Sequence, residues 1–302
     1  SDTPVRPGIP GAQREGRPHV AYITVGTENS VDVELHYTDQ GPSTGTPVVL
    51  IHGYPLNGES WARQQYPLLD AGYRVIAYDR RGFGASTKTA SGADYDTYAA
   101  DLHALMEELD LRDAVLLGFS MGTGEIARYL GRYGADRVAK AGLLSGILPY
   151  LLATDDNPDG AGPQGFFDDL RAQVRDDRFA FVRGFFEGFY NLEENLDRRI
   201  SQDAVDANVQ VAAHAGNVAI ADATLTWPTD FRADIAEVAA SGIPCLIVHG
   251  TADNVVPIDA SARRLRDLLP QATYVELEGA PHGLLWTHAD QVNEALSAFL
   301  SV

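Results

Sequence analysis

Three residues of this chain have the types that nucleophilic acyl chemistry needs, and each follows an apolar run. Ser120 sits in Gly118-Phe119-Ser120-Met121-Gly122, after Ala114-Val115-Leu116-Leu117 and before an amphipathic stretch from Thr123 to Tyr133. That order reads as strand, sharp turn, helix. A serine at the top of such a turn has a strained backbone and an outward hydroxyl. Only small residues fit two positions either side of it, because a side chain there meets the neighbouring strand or helix. The hydroxyl is a poor nucleophile by itself. It needs a base for its proton, and the base needs an orienting acid. Asp253 ends His249-Gly250-Thr251-Ala252-Asp253, and His282 lies in Gly279-Ala280-Pro281-His282-Gly283, each in a loop just beyond its own strand-like run. Taken singly, Asp253 reads equally as a turn residue beside Asn254, and His282 as a structural histidine. Taken with the serine, in the chain order Ser, Asp, His, they read as a catalytic triad.

Acyl transfer also needs donors for the oxyanion. His52-Gly53-Tyr54-Pro55 follows the apolar run Val48 to Ile51. The His52-Gly53 pair lets the chain turn so that the N–H of Tyr54 faces the site. The second donor is the N–H of Met121, directly after the serine, at a helix start where free N–H groups suit negative charge. His52 is expected to brace this loop rather than act as a base. Pro55 stiffens it, having no N–H and a fixed φ. Asp79-Arg80-Arg81-Gly82-Phe83-Gly84 is glycine-rich but lacks dinucleotide or P-loop spacing, and reads as a structural turn held by charge pairs. His103, His214 and His288 show no metal-ligand spacing with each other or with Cys245. Neither a metal nor a redox cofactor is expected.

The elements that must position these residues alternate. Strand-like runs cover Pro47 to Ile51, Arg74 to Tyr78, Ala114 to Leu117, Val138 to Leu144, Ile243 to Val248 and Thr273 to Leu277. The first five are nearly continuous in apolar residues, which suits strands buried on both faces. Helical patterns cover Tyr95 to Leu109, Thr123 to Tyr133, Ala260 to Leu269 and Ala289 to Leu300. The fold class is therefore α/β, a mostly parallel central sheet flanked by helices. His19 to Val25 and Val31 to Thr38 read as a hairpin. The alternation breaks at about Ile147 to Phe231. That stretch opens on an Asp/Asn/Pro/Gly-rich loop and turns helical and aromatic, with Phe166, Phe167, Phe179, Phe181, Phe185, Phe186, Phe189 and Tyr190. It reads as a helical insertion over the carboxyl edge of the sheet, most of its aromatics packing and two or three lining a pocket. The expected organisation is a flexible arm at 1–18, a core at 19–146 and 232–302, and a helical cap at 147–231.

Composition narrows the function classes. The 302 residues are 45% hydrophobic, enough for a large core. Acidic residues outnumber basic ones 42 to 23, a formal charge of −19. Such a surface repels nucleic acid and anionic membranes. No stretch approaches the ~20 apolar residues of a membrane span. The first 18 residues are polar and do not read as a secretory signal. The chain does not begin with Met, which leaves open an export signal removed earlier; the cytoplasm is the expected compartment. Cys245 is the only cysteine, so no internal disulfide forms, and its apolar surroundings suit a buried role.

The motifs together resemble the cofactor-free (non-haem) haloperoxidase branch of the α/β-hydrolase family, whose relatives are aryl esterases and perhydrolases. The resemblance runs from about Leu35 to Leu300. It rests on His52 to Gly58, Tyr78 to Gly84, Gly118 to Gly122, Asp156 to Gly160, Asp230-Phe231-Arg232, His249 to Asp253 and Pro281-His282-Gly283. It implies an α/β-hydrolase fold with a helical cap. It also implies a triad of Ser120, Asp253 and His282, and oxyanion donors at Tyr54 and Met121. Cofactor-free turnover of a small-molecule ester or carboxylic acid, use of hydrogen peroxide and self-association follow from the same likeness. Proline at Pro55 is associated in that family with perhydrolysis. Two positions depart from its pattern. Tyr54 replaces a frequent tryptophan, which is expected to widen or polarise the acyl pocket. Thr123 replaces a usual glycine, which is expected to alter the helix start. The function expected is a serine carboxylesterase working through an acyl-enzyme, with perhydrolase activity. The alternatives are a redox oxidase or haloperoxidase with a bound cofactor, and a non-catalytic hydrolase-like binding module. A dehalogenase or epoxide hydrolase is disfavoured, because those relatives carry a carboxylate where Ser120 stands.

Overall fold

Runs such as Val48 to Ile51 have no polar alternation, so both faces of the strands they form must be covered. In the computed structural model, which describes residues 21–301, they lie inside one eight-stranded sheet. Its strands are β1 (Ala21–Glu28), β2 (Val31–Gln40), β3 (Pro47–Ile51), β4 (Arg74–Tyr78), β5 (Ala114–Phe119), β6 (Val138–Leu144), β7 (Cys245–Gly250) and β8 (Thr273–Leu277). The arm expected at 1–18, and His19 and Val20 of the first expected strand, lie outside the described residues. The strand order is β1-β2-β4-β3-β5-β6-β7-β8. β1, β2 and β4 pair antiparallel, and every pairing from β4 through β3 to β8 is parallel. Every residue of β5 and β7 is buried.

The helices α1 (Ala62–Asp70), α2 (Tyr95–Glu108) and α3 (Met121–Tyr133) connect the first half of the sheet. Between β6 and β7 come α4 (Gln164–Asp176), α5 (Arg178–Tyr190), α6 (Leu192–Asn195), α7 (Gln202–Ala213), α8 (Asn217–Asp222) and α9 (Arg232–Ser241). α10 (Ala262–Leu268), α11 (Leu284–Thr287) and α12 (Ala289–Leu300) complete the chain. The chain leaves β3 for β4 on one side and returns to β5 on the other. This reversal of strand order opens a crevice at the carboxyl ends of β3 and β5, the usual place for a ligand in an open parallel sheet. Register aligns those ends, with Ile51 opposite Gly118 and Gly118 opposite Leu143. Loops leaving β3, β5, β7 and β8 therefore converge on one edge.

Local differences from the sequence reading have physical causes. β7 starts two residues later than the apolar run, because Pro244 has no N–H to donate and offers only its carbonyl, to Ala141 N (3.1 Å). The helix expected from Ala260 to Leu269 is broken at Ser261 (φ −129°, ψ −95°), whose hydroxyl donates to the Gly146 carbonyl at 2.5 Å. Phe166 and Phe179 are 49% and 58% exposed and so lie at the surface. Phe186, Phe189 and Tyr190 of α5 are buried. α5 itself is capped by Asp177, whose carboxylate accepts from Phe179 N (3.1 Å) and Ala180 N (3.0 Å).

Candidate active site

Ser120 occupies the bend between β5 and α3 with φ +52° and ψ −115°, a region that costs a non-glycine residue strain. Its neighbours explain how the bend closes. A Cβ on Gly122 would lie 2.3 Å from the Ile51 carbonyl oxygen of β3, and one on Gly118 would lie 2.6 Å from the Gly122 oxygen. The small residues flanking the serine are thus required by contact with the adjacent strand and with the helix start. The Ser120 N–H donates to Leu144 O (2.9 Å) of β6, which anchors the bend from the other side.

The strand ends bring the three sequence-assigned residues together. His282 Nε2 lies 3.0 Å from Ser120 Oγ, and His282 Nδ1 lies 2.7 Å from Asp253 Oδ2. An ionised carboxylate only accepts, so Nδ1 carries the proton and Nε2 presents its lone pair to the hydroxyl. Asp253 Oδ1 accepts from the N–H groups of Val255 (2.9 Å) and Val256 (2.8 Å). Burial by itself would raise the Asp253 carboxyl. The charge and hydrogen bonds of His282 and His249 outweigh it and hold this acid well below the usual carboxylate range. His249 was not singled out from sequence. Its Nε2 lies 2.8 Å from Val256 O and 3.2 Å from Asp253 Oδ2, so its N–H faces both acceptors.

The loop after β3 lies against this bend. A Cβ on Gly53 would stand 2.7 Å from the Phe119 ring and 3.0 Å from Ser120 Cβ, so only glycine lets the loop approach. The Tyr54–Pro55 peptide bond is cis. Among the described residues the Tyr54 N–H has no hydrogen-bond acceptor. Met121 opens α3, so its N–H has no partner within the helix. His52 is fully buried and braces the loop: its Nδ1–H donates to Gly53 O (2.8 Å), and its Nε2 accepts from Arg80 N (2.9 Å). Burial, reinforced by the Arg80 charge, pushes His52 down to about 3, so it is neutral near neutral pH.

The two departures from the family pattern take specific forms. The Tyr54 hydroxyl donates to the Ile220 carbonyl (2.9 Å) of α8, and its ring meets Phe83, Phe185 and Trp227 edge-on. Its polar end is therefore tied to α8. Thr123 Oγ1 donates to Ser120 O (2.7 Å) and accepts from Ile147 N (3.2 Å), stitching the bend to the chain beyond β6.

The charge pairs of the Asp79-to-Gly84 turn run deeper than their motif implies. Arg80 and Glu125 form an ion pair with side chains 1% and 0% exposed. The Tyr78 hydroxyl donates to the same carboxylate. Arg80 Nη2 also donates to His52 O at 2.6 Å. Arg81 pairs with Asp101 (2.6 Å) and Asp79 with His36 (3.1 Å). Glu125 sits one turn into α3 with no local signal to mark it; only its burial in a polar partnership reveals it.

One aromatic ring of α5 and one of β5 pack against His282. Phe189 and Phe119 each lie with ring centroids 5.0 Å from His282, and the Gly283 N–H donates to Phe189 O at 2.7 Å. Ser120 is 5% exposed. A cleft of about 890 Å³ is lined by Gly188, Asn191, Ala252, Asn254 and Gly279 beside the Asp253 loop, and Ser120 is not among its lining residues. A small cavity of about 30 Å³ touches Phe119, Phe189 and Gly283. Among the described residues no group of His, Cys, Asp and Glu is arranged to hold a metal ion. None of the described helices is long and apolar enough to cross a membrane.

Comparison with known proteins shows the family of the chain. Residues 46–289 match the alpha/beta hydrolase fold family. A non-heme chloroperoxidase of Kitasatospora aureofaciens is 42% identical over 273 residues, covering 89% of this chain and 96% of that protein. A bifunctional esterase/perhydrolase of Acinetobacter calcoaceticus is 35% identical over 282 residues, covering 93% of this chain and 99% of that protein. Among solved structures, a bromoperoxidase from Bacillus anthracis superposes with a TM-score of 0.88 at 40% identity, over 94% of this chain and 100% of that one.

Proposed function

This chain belongs to the α/β-hydrolase family, and from that premise we propose how its residues work: Ser120, Asp253 and His282 transfer an acyl group from a carboxylic ester to water or hydrogen peroxide. The observation that carries the assignment is the continuous relay from Asp253 through His282 to the strained Ser120 hydroxyl, at 2.7 and 3.0 Å. His282 takes the Ser120 proton as Oγ attacks the ester carbonyl. The charge on the carbonyl oxygen is held by the N–H groups of Tyr54 and Met121, each donor being worth about 3 kcal/mol. His282 returns the proton to the departing alcohol and an acyl-Ser120 remains. Water, deprotonated by His282, then releases the carboxylic acid. Hydrogen peroxide attacking the same carbonyl releases a peracid.

A carboxylic acid can serve as donor too. Its hydroxyl leaves as water, and peroxide again yields the peracid. Peracid oxidises a halide away from the protein to hypohalous acid and returns the carboxylate. This reaction would supply halogenation with no redox group on the enzyme, as the names of the relatives suggest. A redox oxidase and an inert hydrolase shell are not favoured by those relatives. The same reading takes residues 147–231 as a cap over the site, the cytoplasm as the compartment and self-association as the assembly.

Ser120→Ala tests the scheme. We expect kcat on an aryl ester to fall by about 10⁶-fold, with the circular dichroism spectrum retained. A fluorophosphonate probe should label the parent protein and not the variant. Retained turnover in a folded variant would remove Ser120 from the mechanism.

A further inference from the structure

A fully buried ion pair is poor value as a stabiliser, because desolvation of both charges offsets their attraction. What Arg80 and Glu125 connect is more telling. Glu125 stands on α3, the helix whose first residue is Met121. Arg80 lies just beyond β4, and its guanidinium spans from the Glu125 carboxylate to the backbone carbonyl of His52 (2.6 Å). Its own N–H holds the His52 ring at 2.9 Å, and that ring in turn holds Gly53 O at 2.8 Å. Tyr78 at the end of β4 donates to the second carboxylate oxygen. The chain of bonds thus runs from α3 to the peptide immediately before Tyr54. Neither side chain has a hydrogen bond to Ser120 or His282.

From this geometry we infer that Arg80 and Glu125 are positioning residues that set the spacing between the two oxyanion donors, the amides of Tyr54 and Met121. The inference rests on the proposed role of those amides. The donors come from two separate elements, a loop and a helix start, and no hydrogen bond joins them directly among the described residues. An oxyanion hole works only if both N–H groups point at the place where charge develops, and a displacement of about 1 Å can cost about 10²-fold in rate. The forked guanidinium suits the task because it bonds two acceptors in fixed directions, which a lysine ammonium does not. The pair acts on the transition state and leaves ground-state binding alone.

The test compares Glu125→Gln, Arg80→Lys and Tyr78→Phe with the parent protein on an aryl ester. The second readout is inhibition by a boronic acid, which adds to the serine hydroxyl as a tetrahedral anion. We expect kcat to fall by about 10-fold or more in the first two variants, with KM within about twofold. Boronic acid affinity should fall in proportion to kcat, while inhibition by the neutral alcohol product stays unchanged. An Arg80→Lys variant with parental kcat would overturn the inference. So would a folded Glu125→Gln variant with parental kcat, or one whose KM rises while boronic acid affinity holds. Should Glu125→Gln fail to fold, Tyr78→Phe decides by the same split, with an expected loss of about threefold. Ser120→Ala separates the two levels: if it retains turnover, the reading of the site falls and the inference with it. If Ser120→Ala is inactive and the positioning variants are unaffected, the inference alone falls.

Discussion

Replacing Asp253 with asparagine removes a charge with almost no change of shape, so its effect can be worked out from the hydrogen bonds. The introduced carboxamide has one accepting and one donating end. With its oxygen toward Val255 and Val256 it keeps the bonds now made at 2.9 and 2.8 Å. Turned the other way, its NH₂ group would face two buried N–H donors, forfeiting two bonds worth about 1 kcal/mol each and leaving both amides unpaired. The first orientation wins, because the His249 N–H near Oδ2 keeps Val256 O as its acceptor at 2.8 Å and the His282 proton can move to the other ring nitrogen, whereas a backbone amide has no such escape. That orientation points NH₂ at His282 Nδ1, 2.7 Å from the present Oδ2. Nδ1 must then accept, which moves the imidazole proton to Nε2, opposite Ser120 Oγ at 3.0 Å. Two hydrogens now face each other and the lone pair that takes the Ser120 proton is gone. A wrong tautomer of this kind costs about 10⁴-fold in kcat, or roughly 5.5 kcal/mol of transition-state stabilisation. The assay is steady-state hydrolysis of an aryl ester near neutral pH, with circular dichroism to verify folding. A folded Asp253→Asn variant within about 10-fold of the parent kcat would refute the tautomer argument and require another group to orient His282.

Two further outcomes follow from packing and burial. Gly122→Ala places a methyl 2.3 Å from the Ile51 carbonyl oxygen, so β3 and α3 must separate. The cost should be about 1–3 kcal/mol, seen as a melting point several degrees lower together with reduced kcat, and an unchanged melting point would contradict the close approach. His52, with its folded value depressed from 6.5 to about 3, contributes stability that is complete above 6.5 and is lost as pH falls toward 3. Urea midpoints taken at about pH 7 and about pH 4.5 should therefore show the parent losing about 2–3 kcal/mol more than His52→Asn does, and equal losses would mean the imidazole is not held neutral.

Much of the fold was legible because its signals are local. Arg74–Tyr78, Val138–Leu144, Thr273–Leu277 and Ala289–Leu300 begin and end where their apolar patterns do. α1 carried a weaker signal, since Pro67 interrupts its pattern yet sits inside the helix. The break at Ser261 was illegible, because it depends on an acceptor 115 residues away.

The sequence by itself determined which residues could react. A glycine-flanked serine between a buried strand and a helix, and an acid and a histidine each beyond a strand, are recorded in neighbouring residue types. Backbone sterics and hydrophobic burial act over a few residues, so such patterns survive in one dimension. Only the tertiary structure decided which side chains meet. Glu125 finds Arg80 45 positions away, Tyr54 finds Ile220 166 away, and His249 finds the acid already bound to His282. Those partnerships depend on strand order and register, which place β3, β4 and β5 side by side. Directional hydrogen bonds between distant segments leave no periodicity in the chain, because the distances that make them exist only after the sheet has assembled.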